Sequence, residues 1–126
     1  QGTTQPSGGV GWNTGDVTVP GTGPNDTGFV MSIIEVFQSK YGWSSHAYAF
    51  GNSNGAALCQ RIGVNGGMGF SGISPSATQL LEIPEQGGPP PYNYNYPSVA
   101  AGTNPIAYLS FHGDADGSIP YAGGKA

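Results

Sequence analysis

Charge is scarce in this chain. Lys40, Arg61 and Lys125 are the only fixed positive charges against seven carboxylates, and charged residues are 8% of the 126. So few cations form no patch that could neutralise phosphates, which excludes nucleic acid as a partner. Cysteine is rarer still. Cys59 stands alone, so no internal disulfide can form. Its thiol is either a small buried apolar group on a helix or half of a bridge whose partner lies outside these residues. There is no apolar run long enough to span a membrane and no signal-peptide pattern. The chain opens at Gln1 without a methionine, so a processed or cropped N-terminus is expected.

Glycine, by contrast, is abundant, with 23 residues alongside 11 prolines. A surface made polar by Gly, Asn, Ser, Thr and Pro is common in secreted proteins, and Asn25-Asp26-Thr27 is a formal N-glycosylation acceptor. A secreted, extracellular location is therefore expected. The hydrophobic fraction of 37% suffices for the modest core of one small domain.

Residues 1–25 show no period of 2 or 3.6 and read as an irregular arm, with Trp12 and Val17-Thr18-Val19-Pro20 as its docking points. At Asp26 the character changes. Asp26 is a candidate N-cap, Phe29, Ile33 and Phe37 recur at spacing four, and Val30, Ile34, Val36 and Tyr41 widen the stripe. The spacing predicts a helix over 27–40, capped by Gly42 and buried against a sheet. His46 to Phe50 reads as a strand, Met68 to Ser74 as a second strand ended by Pro75, and Ile106 to Phe111 as a third suited to the middle of a parallel sheet. Between the last two lies a Pro-, Tyr- and Asn-rich excursion over 84–104. Its alternating Tyr92, Tyr94 and Tyr96 either pack on the body or line a binding face. These elements make an α/β architecture the economical solution.

The stretch Gly51-Asn52-Ser53-Asn54-Gly55 stands between the first strand and a helix-compatible Ala56 to Ile62. With so much glycine, the bare G-x-S-x-G pattern arises by chance at an appreciable rate. Its context is what marks it: a serine on a sharp strand-to-helix turn is a nucleophile elbow. The flanking glycines are expected to remove side chains that would collide there. The backbone N–H of Asn54, at the start of the new helix, would face a developing acyl oxyanion. A serine nucleophile also needs a base and an acid behind the base. The loop after the third strand offers Asp114 and Asp116 at the same carboxyl edge of the sheet. His46 lies at the entry end of the strand, a strand's length from Ser53, and His112 precedes both acids, so neither histidine suits the base and the triad is incomplete. His112 is expected to hold the acid loop by hydrogen bonds.

Three segments in order carry a resemblance: Asn25-Asp26-Thr27-Gly28-Phe29-Val30, Gly51-Asn52-Ser53-Asn54-Gly55-Ala56, and His112-Gly113-Asp114-Ala115-Asp116 with Ile119-Pro120-Tyr121-Ala122-Gly123-Gly124. Together with Trp12-Asn13 and Val19-Pro20-Gly21, they resemble the polyhydroxybutyrate depolymerase and feruloyl esterase group of α/β-hydrolases. The resemblance implies a three-layer α/β/α fold with a mostly parallel sheet, Ser53 as nucleophile, Asn54 N–H as oxyanion donor and Asp116, at the acid of the HG-x-x-D pattern, as the residue orienting the histidine. It implies a carboxylic-ester hydrolase acting on feruloyl- or acetyl-polysaccharide or a short-chain polyester, with no metal or organic cofactor. Such enzymes carry opening strands and an oxyanion loop before the position of residue 1 and the catalytic histidine after that of residue 126. Residues 1–126 are thus expected to be the central part of one catalytic domain, inactive alone and completed by the rest of the same polypeptide or an assembly partner. The alternative is an extracellular structural or binding module, derived from a hydrolase, that performs no chemistry.

Overall fold

A computed structural model of the chain describes residues 3–4, 10–12, 14, 25–43, 46–64, 67–78 and 105–122. They form a mixed α/β unit. β1 (Thr3–Thr4) and β2 (Val10–Gly11) pair antiparallel, so the segment expected to be an irregular arm holds a short strand pair. Helix α1 (Asp26–Tyr41) follows, then strand β3 (Ala47–Asn52), helix α2 (Asn54–Val64), strand β4 (Phe70–Ser76) and the short strand β5 (Ala107–Tyr108). The last three strands form a parallel sheet in the order β3-β4-β5. Val17 to Pro20 and the excursion over 84–104 lie outside the described residues.

The core is where α2 lies on the sheet. Leu58, Cys59 and Ile62 from α2 meet Ile73 from β4, with Trp12, Val30, Ala49, Phe70 and Ile106 packed around them. Cys59 is free and 4% exposed, so its thiol serves as a small apolar filler, and burial pushes its pKa up. No helix among the described residues is long and apolar enough to cross a membrane.

Several expectations are corrected. The N-cap of α1 is Asn25, whose Oδ1 accepts from Gly28 N–H at 2.9 Å and from the Thr27 hydroxyl at 3.2 Å; Asp26 is instead the first helical residue, and buried. A side chain on position 25 reaches the third N–H of the helix, which a residue already inside it does not. Gly42 ends the helix as expected, at φ 61°. The apolar stripe of α1 is not buried against the sheet. Only Ile34 of its large apolar residues is buried, while Phe29, Val36, Phe37 and Tyr41 are each about half exposed or more.

Pro75 does not end the second strand but lies within β4, opposite Gly51. In a parallel ladder a residue directs both backbone groups to one neighbour. Pro75 O accepts from Phe111 N–H at 3.1 Å, so its missing N–H faces β5 and leaves the β3 ladder whole. β5 ends at Tyr108, although Leu109 N–H still donates to Ile73 O at 3.1 Å and an isolated bridge joins Phe111 to Ser76. The third strand is thus short, and its Tyr108, Leu109 and Phe111 are exposed, unlike the central strand its composition suggested.

Candidate functional site

Ser53 sits between the end of β3 and the start of α2 with φ 52°, a left-handed conformation that side chains other than glycine and asparagine avoid. Its own N–H donates to Ser76 O on β4 at 2.9 Å, while its carbonyl accepts from Ala56 and Ala57 and so opens the helix. The turn is held from both sides. The Ser53 side chain is left exposed at the carboxyl edge of the sheet, where parallel sheets present ligands.

The two flanking glycines are not equivalent. A Cβ on Gly51 would lie 2.1 Å from Gly55 O and 2.6 Å from Ala56 N, both backbone atoms that cannot yield. A Cβ on Gly55 would meet nothing nearer than the Trp12 indole nitrogen at 4.0 Å. The expected steric need therefore holds before the serine and fails after it, where the helix runs away from the strand.

Asn54 is the first residue of α2, so its N–H has no partner within the helix and points out of the positive end of the helix dipole. Its side chain does something the sequence pattern did not suggest. Oδ1 accepts from Trp12 N–H, and Nδ2 donates to Trp12 O at 3.1 Å and to the Thr14 hydroxyl at 3.4 Å. Seven residues along α2, on the same face, Arg61 donates to Thr14 O at 3.4 Å. A signal was available in that spacing, but a partner forty residues earlier in the chain is invisible to it. As a result the segment ending β2 lies beside the elbow. Val10, Gly11 and Trp12 face Asn52, Ser53, Asn54 and Gly55 across an open cleft of about 400 Å³.

Asp116 follows β5 at the same sheet edge as Ser53. Its Oδ1 accepts from Ser118 N–H at 2.8 Å and Ile119 N–H at 2.9 Å. Those two bonds, Ile119 first, together with the nearby His112, hold its pKa below the ordinary 3.8. His112 Nε2 lies 2.7 Å from Ile119 O; a carbonyl only accepts, so that nitrogen carries the proton. The same nitrogen is 3.6 Å from Asp116 Oδ2, outside good hydrogen-bond range. His112 therefore closes the acid loop, and among the described residues Asp116 Oδ2 accepts no hydrogen bond within 3.5 Å. Asp114 is exposed in the preceding turn.

His46 precedes β3, a full strand away from Ser53, and its Nδ1 lies 3.2 Å from the Ser71 hydroxyl. Among the described residues neither histidine hydrogen-bonds Ser53: His46 meets Ser71, and His112 meets the Ile119 carbonyl. Among the described residues no group of three or more His, Cys, Asp or Glu could hold a metal ion. The arrangement can thus supply an exposed, strained serine, a helix-end N–H beside it and a carboxylate whose Oδ2 has His112 Nε2 at 3.6 Å. No family model, no curated protein and no solved structure matches the chain.

Proposed function

We propose that this chain carries the nucleophile and the acid of a serine carboxylic-ester hydrolase of the α/β-hydrolase type, related to the polyhydroxybutyrate depolymerase and feruloyl esterase group. The observation that carries the reading is Ser53 at φ 52° between β3 and α2, clamped by the Gly51–Gly55 contact. Strain of this kind costs about 1–3 kcal/mol and persists where the surrounding structure enforces it, typically at functional sites.

Ser53 Oγ attacks the ester carbonyl while a histidine other than His46 and His112 takes its proton. That histidine then protonates the departing alcohol. Asn54 N–H stabilises the tetrahedral oxyanion, and water attacks the acyl-serine in a second round of the same proton transfers. Asp116 Oδ2 accepts the second N–H of the base and stabilises it as imidazolium. Feruloyl- or acetyl-polysaccharide, or a short-chain polyester met outside the cell, is the substrate class, and the sheet belongs to a three-layer α/β/α fold completed by further polypeptide. The reaction calls on no cofactor.

The engagement of both histidines elsewhere favours a second reading, a hydrolase-derived binding module without chemistry. A fluorophosphonate probe on the folded full-length protein separates the two. Covalent label on the tryptic peptide spanning 41–61, lost in Ser53→Ala, is expected; absence of label on the folded wild type overturns the hydrolase reading.

A further inference from the structure

The cleft beside Ser53 has two walls of different origin. One is the elbow itself, built locally. The other, Val10 to Trp12, comes from the far end of the chain and is joined to the elbow through the Asn54 side chain. We infer that Asn54, through its side-chain amide, is a positioning residue that fixes this second wall, and that the wall so fixed selects the apolar part of the ester. The inference rests on the hydrolase reading for its substrate and on geometry alone for the clamp.

The geometry is that of a strand pair in miniature. A primary amide offers one acceptor and two donors, and Asn54 uses them on the N–H and the C=O of one residue, Trp12, with the Thr14 hydroxyl beside them. Trp12 is thereby held at both backbone groups, as a neighbouring strand would hold it. Thr14 is 1% exposed and Arg61 9%, so the lower end of the segment is anchored inside the protein by the Arg61 bond to Thr14 O. The upper end is the functional one. There the indole approaches Gly55, and Val10 stands 55% exposed at the mouth. An apolar acyl chain lying along this wall would cover Val10 and the Trp12 ring with more apolar area than an acetyl group offers.

Amide hydrogen exchange on the full chain reads the clamp without any turnover. In Asn54→Ala the Trp12 N–H is expected to exchange at least about tenfold faster, the loss of a buried hydrogen-bond partner. Asn54→Asp keeps the acceptor and loses both donors, so it should retain the Trp12 N–H protection that Ala loses. With para-nitrophenyl esters, Asn54→Ala should lower the octanoate-to-acetate ratio of kcat/KM about tenfold. Arg61→Gln, which leaves the elbow untouched, should lower it by a smaller factor. Unchanged Trp12 exchange in Asn54→Ala overturns the clamp, and an unchanged ester ratio with released exchange overturns the selective wall. If no phosphonate labels the wild type yet Trp12 is protected and released as described, the clamp is supported and the hydrolase reading falls.

Discussion

Two apolar-rich segments of similar promise behave in opposite ways. The strand-elbow-helix stretch from β3 through α2 closes on itself: α2 folds back over the strand that precedes it and the strand that follows, burying every residue from Ala56 to Ile62. Helix α1 has the broader stripe and buries almost none of it. Phe29, Ile33, Val36 and Phe37 remain exposed, and with Trp43 and Phe70 the stripe frames an apolar groove of about 530 Å³. The open face of the sheet is similar, with Tyr48, Phe50, Leu109 and Phe111 all more than half exposed. An element folds completely when its partners are its chain neighbours. One whose partner is remote shows only that a partner is needed.

This contrast breaks most sharply at the elbow. Gly51→Ala should cost at least about 4 kcal/mol or prevent folding, since its Cβ would overlap the Gly55–Ala56 backbone. Gly55→Ala should be neutral or stabilising by up to about 1 kcal/mol through helix propensity. Urea denaturation of the two variants measures the difference, and equal effects would mean the turn is looser than described.

The next test compares the two helices. Ile62→Ala removes a side chain 2% exposed and should cost about 2–5 kcal/mol. Phe29→Ser, on a residue 54% exposed, should cost less than about 1 kcal/mol. A large loss from Phe29→Ser in the full-length protein would show the stripe of α1 to be covered there.

The smallest effect concerns the acid loop. The folded-state pKa of Asp116 lies below its ordinary 3.8, so its bonds to Ser118 and Ile119 stabilise the loop fully above that value. The stabilisation is lost as pH falls through the depressed one. Protection of the Ser118 and Ile119 amides should therefore decline below about pH 3.9, and Asp116→Asn should flatten the decline.

Much of this was legible in the residues. The elbow is written in consecutive positions, because a serine at positive φ, a glycine that clears the turn and a helix-forming run are all local requirements. Gly42 as a cap is local in the same sense. What escaped were relations between distant positions. That Gly55 has room where Gly51 has none depends on the direction in which α2 departs. That Pro75 is tolerated inside β4 depends on which neighbour its missing N–H would have faced. The sequence pattern also placed Asn25 in a glycosylation acceptor, whereas in the structure its amide oxygen caps α1.

By itself, then, the sequence determined the order of elements from α1 onward, the α/β class, the serine on its turn and the carboxylate loop after the third strand, since each follows from short-range steric and hydrogen-bonding rules. Only the tertiary structure decided that Asn54 works through its side chain as well as its position and that Asp116 Oδ1 is held by the Ser118 and Ile119 amides. It also decided that the Trp12 segment walls the cleft. Each of those depends on which atoms, far apart along the chain, come within about 3 Å of one another, and hydrogen bonding is governed by that distance and not by sequence spacing.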